Sequence, residues 1–184
     1  MNSDIKKIIL NEDELKQICK RLGQQITNDY LNKELLIVGV LNGCNPFMAD
    51  LLRNIDLPLK LDYIIVSSYH GRESTGVVNL KKDLYEDILG KHVLIVEDIV
   101  DTGRTLKMIT ELFSHRRALS VETCCLLDKK EGRIIDFNPK YTGYDVPNEF
   151  VVGYGLDYNG YYRNLPYIGV LKEEIYTKWG EING

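Results

Sequence analysis

No apolar run in this chain is long enough to cross a membrane, and neither sign of charge dominates it. With 23 basic and 27 acidic residues the net charge is −4, which excludes a nucleic-acid binder that relies on broad electrostatic attraction. Cysteine is scarce: Cys19, Cys44, Cys124 and Cys125 show no Cys-x-x-Cys spacing, so neither a metal cluster nor a disulfide framework is expected. Cys124 and Cys125 are neighbours on an expected strand, where their side chains point to opposite faces. A start of Met1-Asn2-Ser3-Asp4 lacks the hydrophobic core of a signal peptide, and reduced thiols in the cytoplasm are the expected state. There is no Gly-x-x-x-x-Gly-Lys loop of the kind that cradles nucleotide phosphates in kinases. Gly153-x-Gly155 is not a dinucleotide fingerprint, because the third glycine is misplaced and no suitable helix follows. Internal repeats, low-complexity tracts and linkers are also missing, which leaves a single domain over residues 1–184.

What is present centres on Val93-Leu94-Ile95-Val96-Glu97-Asp98-Ile99-Val100-Asp101-Thr102-Gly103-Arg104-Thr105. Four consecutive apolar residues read as a strand buried on both faces, as in parallel sheets. Two adjacent carboxylates follow, then a third, then a Thr-Gly-x-Thr turn. Leu106, Ile109 and Phe113 then recur at helical spacing. A strand, a polar turn and a helix start form an anion site, since free N–H groups and the positive helix end attract phosphate. Acids beside a phosphate would repel it, so Glu97 and Asp98 suit neutral hydroxyls or a magnesium ion. Hydroxyls, metal and phosphate together describe a phosphorylated ribose.

This thirteen-residue run resembles the phosphoribosyl pyrophosphate signature of the type I phosphoribosyltransferases. The resemblance implies that Glu97 and Asp98 bracket the ribose 2- and 3-hydroxyls and that Thr102, Gly103, Arg104 and Thr105 hold the 5-phosphate. It extends from about Leu35 to about Arg163. Leu35–Leu41 is a second buried strand, ending in Asn42-Gly43, with Pro46 opening a helix through Phe47, Met48, Leu51 and Leu52. Leu41, Asn42 and Gly43 match the family's pyrophosphate loop, whose members often hold the peptide before the second residue cis. Many carry lysine where Asn42 stands. Leu59–Ser67 is a further strand, followed by a polar, glycine-punctuated loop to Val78. In the purine-using branch a Ser-Tyr pair, here Ser68-Tyr69, opens a loop that closes over the reacting centre and shields an oxocarbenium-like transition state from water.

Leu119–Leu127 is another apolar strand, ending at Asp128-Lys129-Lys130. Lysines past a strand end are usually solvated, but the resemblance makes Lys129 the donor to a purine O6. Residues 132–149 read as a connection. The segment from Phe150 to Arg163 is similar to the C-terminal hood of the hypoxanthine-guanine branch. It implies that Phe150 stacks on the base, the Val151 backbone reads the base edge, Asp157 coordinates magnesium alongside Glu97 and Asp98, and Arg163 touches pyrophosphate. Asp101, between the ribose acids and the phosphate turn, is the candidate general base toward purine N7. Near the start, Asn11 and Glu14 form an N-cap with a capping-box partner, and Leu15, Ile18, Cys19, Leu22 and Ile26 trace the apolar stripe of a packing helix.

The expected fold is α/β, a mostly parallel central sheet with helices on both faces. A core over about residues 35–130 carries a small hood over about 140–184 plus the N-terminal residues. The expected activity is transfer of a 5-phosphoribosyl group from phosphoribosyl pyrophosphate to a 6-oxopurine with Mg2+, without nucleic acid or membrane partners. The resemblance also implies a homo-oligomer, dimer or tetramer. The alternatives are a regulator that binds phosphoribosyl pyrophosphate to control transcription or RNA, and a transferase for another base such as xanthine. The regulator is disfavoured by the acidic charge, the lack of an extra domain, and the presence of Asp101, Lys129 and Phe150.

Overall fold

Strands β2 (Leu35–Leu41) and β5 (His92–Val100) lie side by side and parallel in the computed structural model, which describes residues 1–68 and 78–182. Leu35 pairs with His92 and Gly39 with Val96, so both strands end at the same edge. On the far side of β2 run β3 (Leu59–Ser68), parallel to it, and β4 (Val78–Lys82), antiparallel. On the far side of β5 run β6 (Ser120–Asp128) and β7 (Tyr141–Asp145), both parallel. The sheet order is therefore β4-β3-β2-β5-β6-β7. The chain winds outward in both directions from the β2/β5 pair, which makes the carboxyl end of that pair the place where a crevice opens.

Because the side-chain period of a strand is two, the continuous apolar runs serve two cores at once. Leu35, Ile37, Leu94, Val96, Cys124 and Leu126 face helices α1 (Glu12–Asp29) and α2 (Asn45–Leu52). Leu36, Val38, Val40, Val93, Ile95 and Cys125 face helix α3 (Arg104–His115), which buries Leu106, Ile109 and Phe113 against them. Cys124 and Cys125 thus fall on opposite faces, as their adjacency requires. Full burial of each large side chain in these layers contributes about 1.5–3 kcal/mol. Helix α1 begins at the expected cap: Asn11 Oδ1 accepts the N–H groups of Asp13 and Glu14 at 3.0 Å, and Glu14 Oε2 accepts the N–H of Asn11 at 2.8 Å.

A second, three-stranded antiparallel sheet has the order β1-β9-β8, with β1 at Ile5–Leu10, β8 at Val151–Val152 and β9 at Ile168–Leu171. Tyrosines tie the chain's beginning to it: Tyr162 Oη donates to Asp4 Oδ2 at 3.1 Å and Tyr167 Oη to Asn2 Oδ1 at 2.8 Å. Helix α4 (Glu173–Ile182) follows.

The sequence reading assigned no element to β4, β9 or α4, and two further strands depart from it. Residues 132–149, read as a connection, contain β7 and so extend the main sheet. The segment Tyr-Thr-Gly-Tyr-Asp is short, polar and glycine-bearing, an edge strand that only pairing with β6 brings out. Ile5–Leu10 is a strand that periodicity did not reveal. Its pairing with β9 shifts register between Ile5 and Lys7 and again between Ile8 and Leu10, which breaks the alternation on which such a reading depends.

Candidate active site

At the carboxyl end of the β2/β5 pair lies a cavity of about 500 Å3. It is lined by the end of β2 (Val40, Leu41) with Gly43, the end of β3 (Val66, Ser67), the run from Glu97 to Gly103, Thr105 and Leu106, and Asp157 with Arg163 from the hood. Three motifs far apart in the chain therefore meet around one space.

The two acids at its floor are electrostatically costly. Glu97 is 9% exposed, and burial together with the neighbouring Asp98 carboxylate pushes its carboxyl well above the usual range. Burial raises Asp98 too, offset in part by Glu97, the Ile99 N–H and the positive Arg163. Asp98 Oδ1 accepts the Ile99 N–H at 2.7 Å, which fixes its rotamer. An acid pair held away from water is satisfied by hydroxyl donors or by a cation. Among the described residues no three His, Cys, Asp or Glu side chains converge closely enough to cage a metal ion. Oxygen donors in this number suit Mg2+ carried in with substrate phosphates, an ion usually held by only one or two carboxylates.

The loop between β2 and α2 closes over Asp98. The Leu41–Asn42 peptide is cis, as the resemblance implied. Gly43 packs so closely on Asp98 that a Cβ there would fall inside the contact radius of Oδ2 and 2.7 Å from Cγ. Asn42 is exposed, and its carbonyl accepts the Asn45 N–H at 3.3 Å.

Helix α3 starts differently from α1. Its N-cap is Gly103, in the left-handed region at φ 82°, with no side-chain cap and no acid in the first turn. Apart from the Arg104 N–H, which donates to Thr102 Oγ1 at 3.4 Å, the N–H groups of that turn, with Thr102 and Thr105 beside them, are open to an anion in the cavity. Arg104 is exposed and does not line the cavity.

From the hood, Asp157 Oδ1 pairs with Arg163 Nη2 at 2.7 Å, Asp157 Oδ2 accepts the Gly160 N–H at 2.7 Å, and Arg163 Nη1 donates to the Gly155 carbonyl at 2.6 Å. The pair is about one-third exposed, so it is worth little to stability and is free to exchange for a charged ligand.

Three expected base-binding residues stand apart from this cavity. Lys129 is half-buried just past β6, its N–H bonded to the Val100 carbonyl at 2.9 Å. Its Cδ and the Asp101 carboxylate flank the same glycine, Gly132. Phe150 is 41% exposed, edge-on to Tyr158 with centroids 5.6 Å apart and tilted 30° against Tyr176 at 5.3 Å. It lines a separate depression with Lys6, Lys172 and Glu173. Val151 is buried in β8 opposite Val170. Tyr69 lies outside the described residues, and Ser68 is the last residue of β3. Sequence reasoning did not single out Val40, Val66, Ile99, Val100 or Leu106, the cavity's apolar lining. Their only signal was membership of apolar runs, which marks core and cavity wall alike.

Comparison with known proteins identifies the family. Residues 6–159 match the phosphoribosyl transferase domain family. The chain is 53% identical over 178 residues to the hypoxanthine-guanine phosphoribosyltransferase of Streptococcus pneumoniae, covering 96% of this chain and 99% of that one. The Streptococcus agalactiae protein of the same name is 51% identical over 97% of this chain and 99% of its own. A crystal structure of a Staphylococcus aureus hypoxanthine phosphoribosyltransferase superimposes with a TM-score of 0.92 at 53% identity, covering 96% of each chain.

Proposed function

This chain belongs to the phosphoribosyltransferase family, in its hypoxanthine-guanine branch, and from that premise we propose that it transfers the 5-phosphoribosyl group of phosphoribosyl pyrophosphate to a 6-oxopurine. The substrates are hypoxanthine and guanine, and the products IMP or GMP and pyrophosphate, a purine-salvage reaction. The observation that carries the reading is the cavity in which a buried acid pair and an uncapped helix start share one space.

In this reading the 5-phosphate rests on the N–H groups and hydroxyls from Thr102 to Thr105. Glu97 and Asp98 accept hydrogen bonds from the two ribose hydroxyls. The purine stacks on Phe150, with Lys129 donating to its O6 and the Val151 backbone reading its edge. The bond from ribose C1 to the pyrophosphate oxygen breaks as the bond from C1 to purine N9 forms, through an oxocarbenium-like transition state. The proton on N7 passes to the Asp101 carboxylate. Arg163 leaves Asp157 to meet the departing pyrophosphate, together with the Leu41–Gly43 backbone. Glu97, Asp98 and Asp157 do not converge into one cage, so each would be a ligand for Mg2+ brought in with substrate phosphates, an ion that when bound neutralises pyrophosphate charge. The Ser68-Tyr69 segment is the proposed lid. Four buried free thiols support a reducing, cytoplasmic setting, and a homo-oligomer, dimer or tetramer, is part of the reading.

The test is a panel: protein, Mg2+ and phosphoribosyl pyrophosphate with hypoxanthine, guanine, xanthine, adenine or uracil, following nucleotide formation. Product with hypoxanthine or guanine, abolished by a chelator, is the expected result. Phosphoribosyl pyrophosphate binding by calorimetry with no product from any base would overturn it in favour of a regulator.

A further inference from the structure

In the tight turn after β6, Lys129–Arg133, only Lys129 has a part in the chemistry described above, yet Gly132 and Arg133 touch Asp101 from two sides. Arg133 Nε donates to the Asp101 carbonyl at 3.0 Å. The same guanidinium donates through Nη1 to the Phe137 carbonyl and through Nη2 to the carboxylate of Asp128, which is 3% exposed. The neighbouring N–H groups of Ile134 and Ile135 both donate to the Thr102 carbonyl, at 3.2 and 3.3 Å. Residues 133–137 therefore form the floor beneath the phosphate turn. On the other side, the Asp101 carboxylate packs directly onto Gly132. A Cβ there would overlap Oδ1 and stand 3.1 Å from Cγ, with the Lys129 side chain at 3.7 Å.

We infer that this turn is the positioning device of Asp101: Arg133 locks its main chain, and with it the phosphate turn, while the bare face of Gly132 sets where its carboxylate lies relative to Lys129. Arg133 is a positioning residue, since its guanidinium is spent on two carbonyls and a buried carboxylate and is turned away from the cavity lining. A guanidinium suits this task because its planar fork makes three directed contacts at once, which an ammonium cannot. The arrangement ties the end of β5, which carries the acid, to the end of β6, which carries the purine-reading lysine.

The inference rests on the functional reading above, and its test separates the two. Arg133→Lys keeps a cation for Asp128 but loses one or two of the three contacts. The dissociation constant of phosphoribosyl pyrophosphate, read by calorimetry, should rise about tenfold. Gly132→Ala should lower kcat at least about tenfold with the KM for phosphoribosyl pyrophosphate nearly unchanged, because only the carboxylate is displaced. In an Asp101→Asn background the same Gly132→Ala change should cost less than about twofold, since the group it displaces no longer acts as a base. Phe113→Leu, in the core under α3, serves as a destabilised control with parental kinetics. An unchanged dissociation constant in Arg133→Lys, or equal losses from Gly132→Ala in both backgrounds, would overturn the inference. Parent protein that binds phosphoribosyl pyrophosphate but makes no nucleotide would sink the transfer reading alone, and calorimetry on Arg133→Lys would then decide the positioning role.

Discussion

Replacing Gly43 with alanine probes the contact on which the cavity is built. The added Cβ would stand 2.7 Å from Asp98 Cγ and closer still to Oδ2, about 1 Å short of ordinary carbon–carbon contact. Neither partner can retreat without losing a contact. Asp98 is held by the Ile99 N–H and pressed against Glu97, and the Gly43 carbonyl is covered by Gly155. Overpacking of this kind costs about 1–3 kcal/mol. For a chain of this size that lowers Tm by about 2–12 °C. Displacement of a substrate-holding group by about 1 Å costs on the order of 100-fold in rate. Gly43→Ala should therefore reduce kcat/KM for phosphoribosyl pyrophosphate about 100-fold in a nucleotide-formation assay. Gly90→Ala is the matched control. Gly90 sits at φ 71° with nothing within 4 Å of its missing Cβ, so the change costs about 1–2 kcal/mol of backbone strain and leaves the cavity alone. It should lower Tm and keep parental kinetics. A Gly43→Ala protein with parental kcat and KM would refute the reasoning, whatever its Tm.

Asp101→Asn should lower turnover about 100-fold or more while the KM for phosphoribosyl pyrophosphate moves less than about threefold, and equal losses in both would remove Asp101 as the base. Lys129→Gln should raise the KM for hypoxanthine and narrow the preference for 6-oxo over 6-amino purines in a competition assay, with an unchanged preference counting against its role. Asp98→Asn should raise the Tm of the ligand-free protein at neutral pH while destroying its activity. The carboxyl is raised in the folded state, so its contribution is present at low pH and is lost as pH rises through the folded value. The stabilisation should vanish below about pH 4, where unfolded aspartate is protonated as well. Asp62 has the opposite sign. Burial would raise it, but the N–H groups of Glu86, Tyr63 and Tyr85 and the Lys82 ammonium outweigh burial and hold it low. Its stabilisation is present above about pH 4 and is lost as pH falls through the folded value, so Asp62→Asn should cost about 1–3 kcal/mol at pH 7 in urea titrations and converge with the parent in acid.

Some of this molecule could be read directly from its residues, because the cause and the effect lie within a few positions of each other. Asn11 and Glu14 cap α1 through bonds no more than three residues long. Four apolar residues before Glu97 mark a strand buried on both faces, and Thr-Gly-Arg-Thr marks the helix start after it. β1 and β7 were not legible. One carries register shifts and the other is short and polar, so each exists as a strand because a neighbour supplies its hydrogen bonds. The apolar lining of the cavity was hidden for a related reason: a valine facing a core and a valine facing a ligand have the same local pattern.

The sequence by itself determined the chemical kit: an acid pair, an anion-binding turn, a third acid and a lysine, each written into a contiguous stretch whose local geometry follows from its own backbone. Only the tertiary structure decided how these parts meet. The order β4-β3-β2-β5-β6-β7 sets the end of β2 against the end of β5, so that Gly43 presses on Asp98 across more than fifty residues of chain. The same order sets the end of β6 beside that of β5, so that Gly132 and Arg133 reach Asp101. Strand pairing is a long-range choice, set by which faces can be buried together, and no local run of residues encodes it.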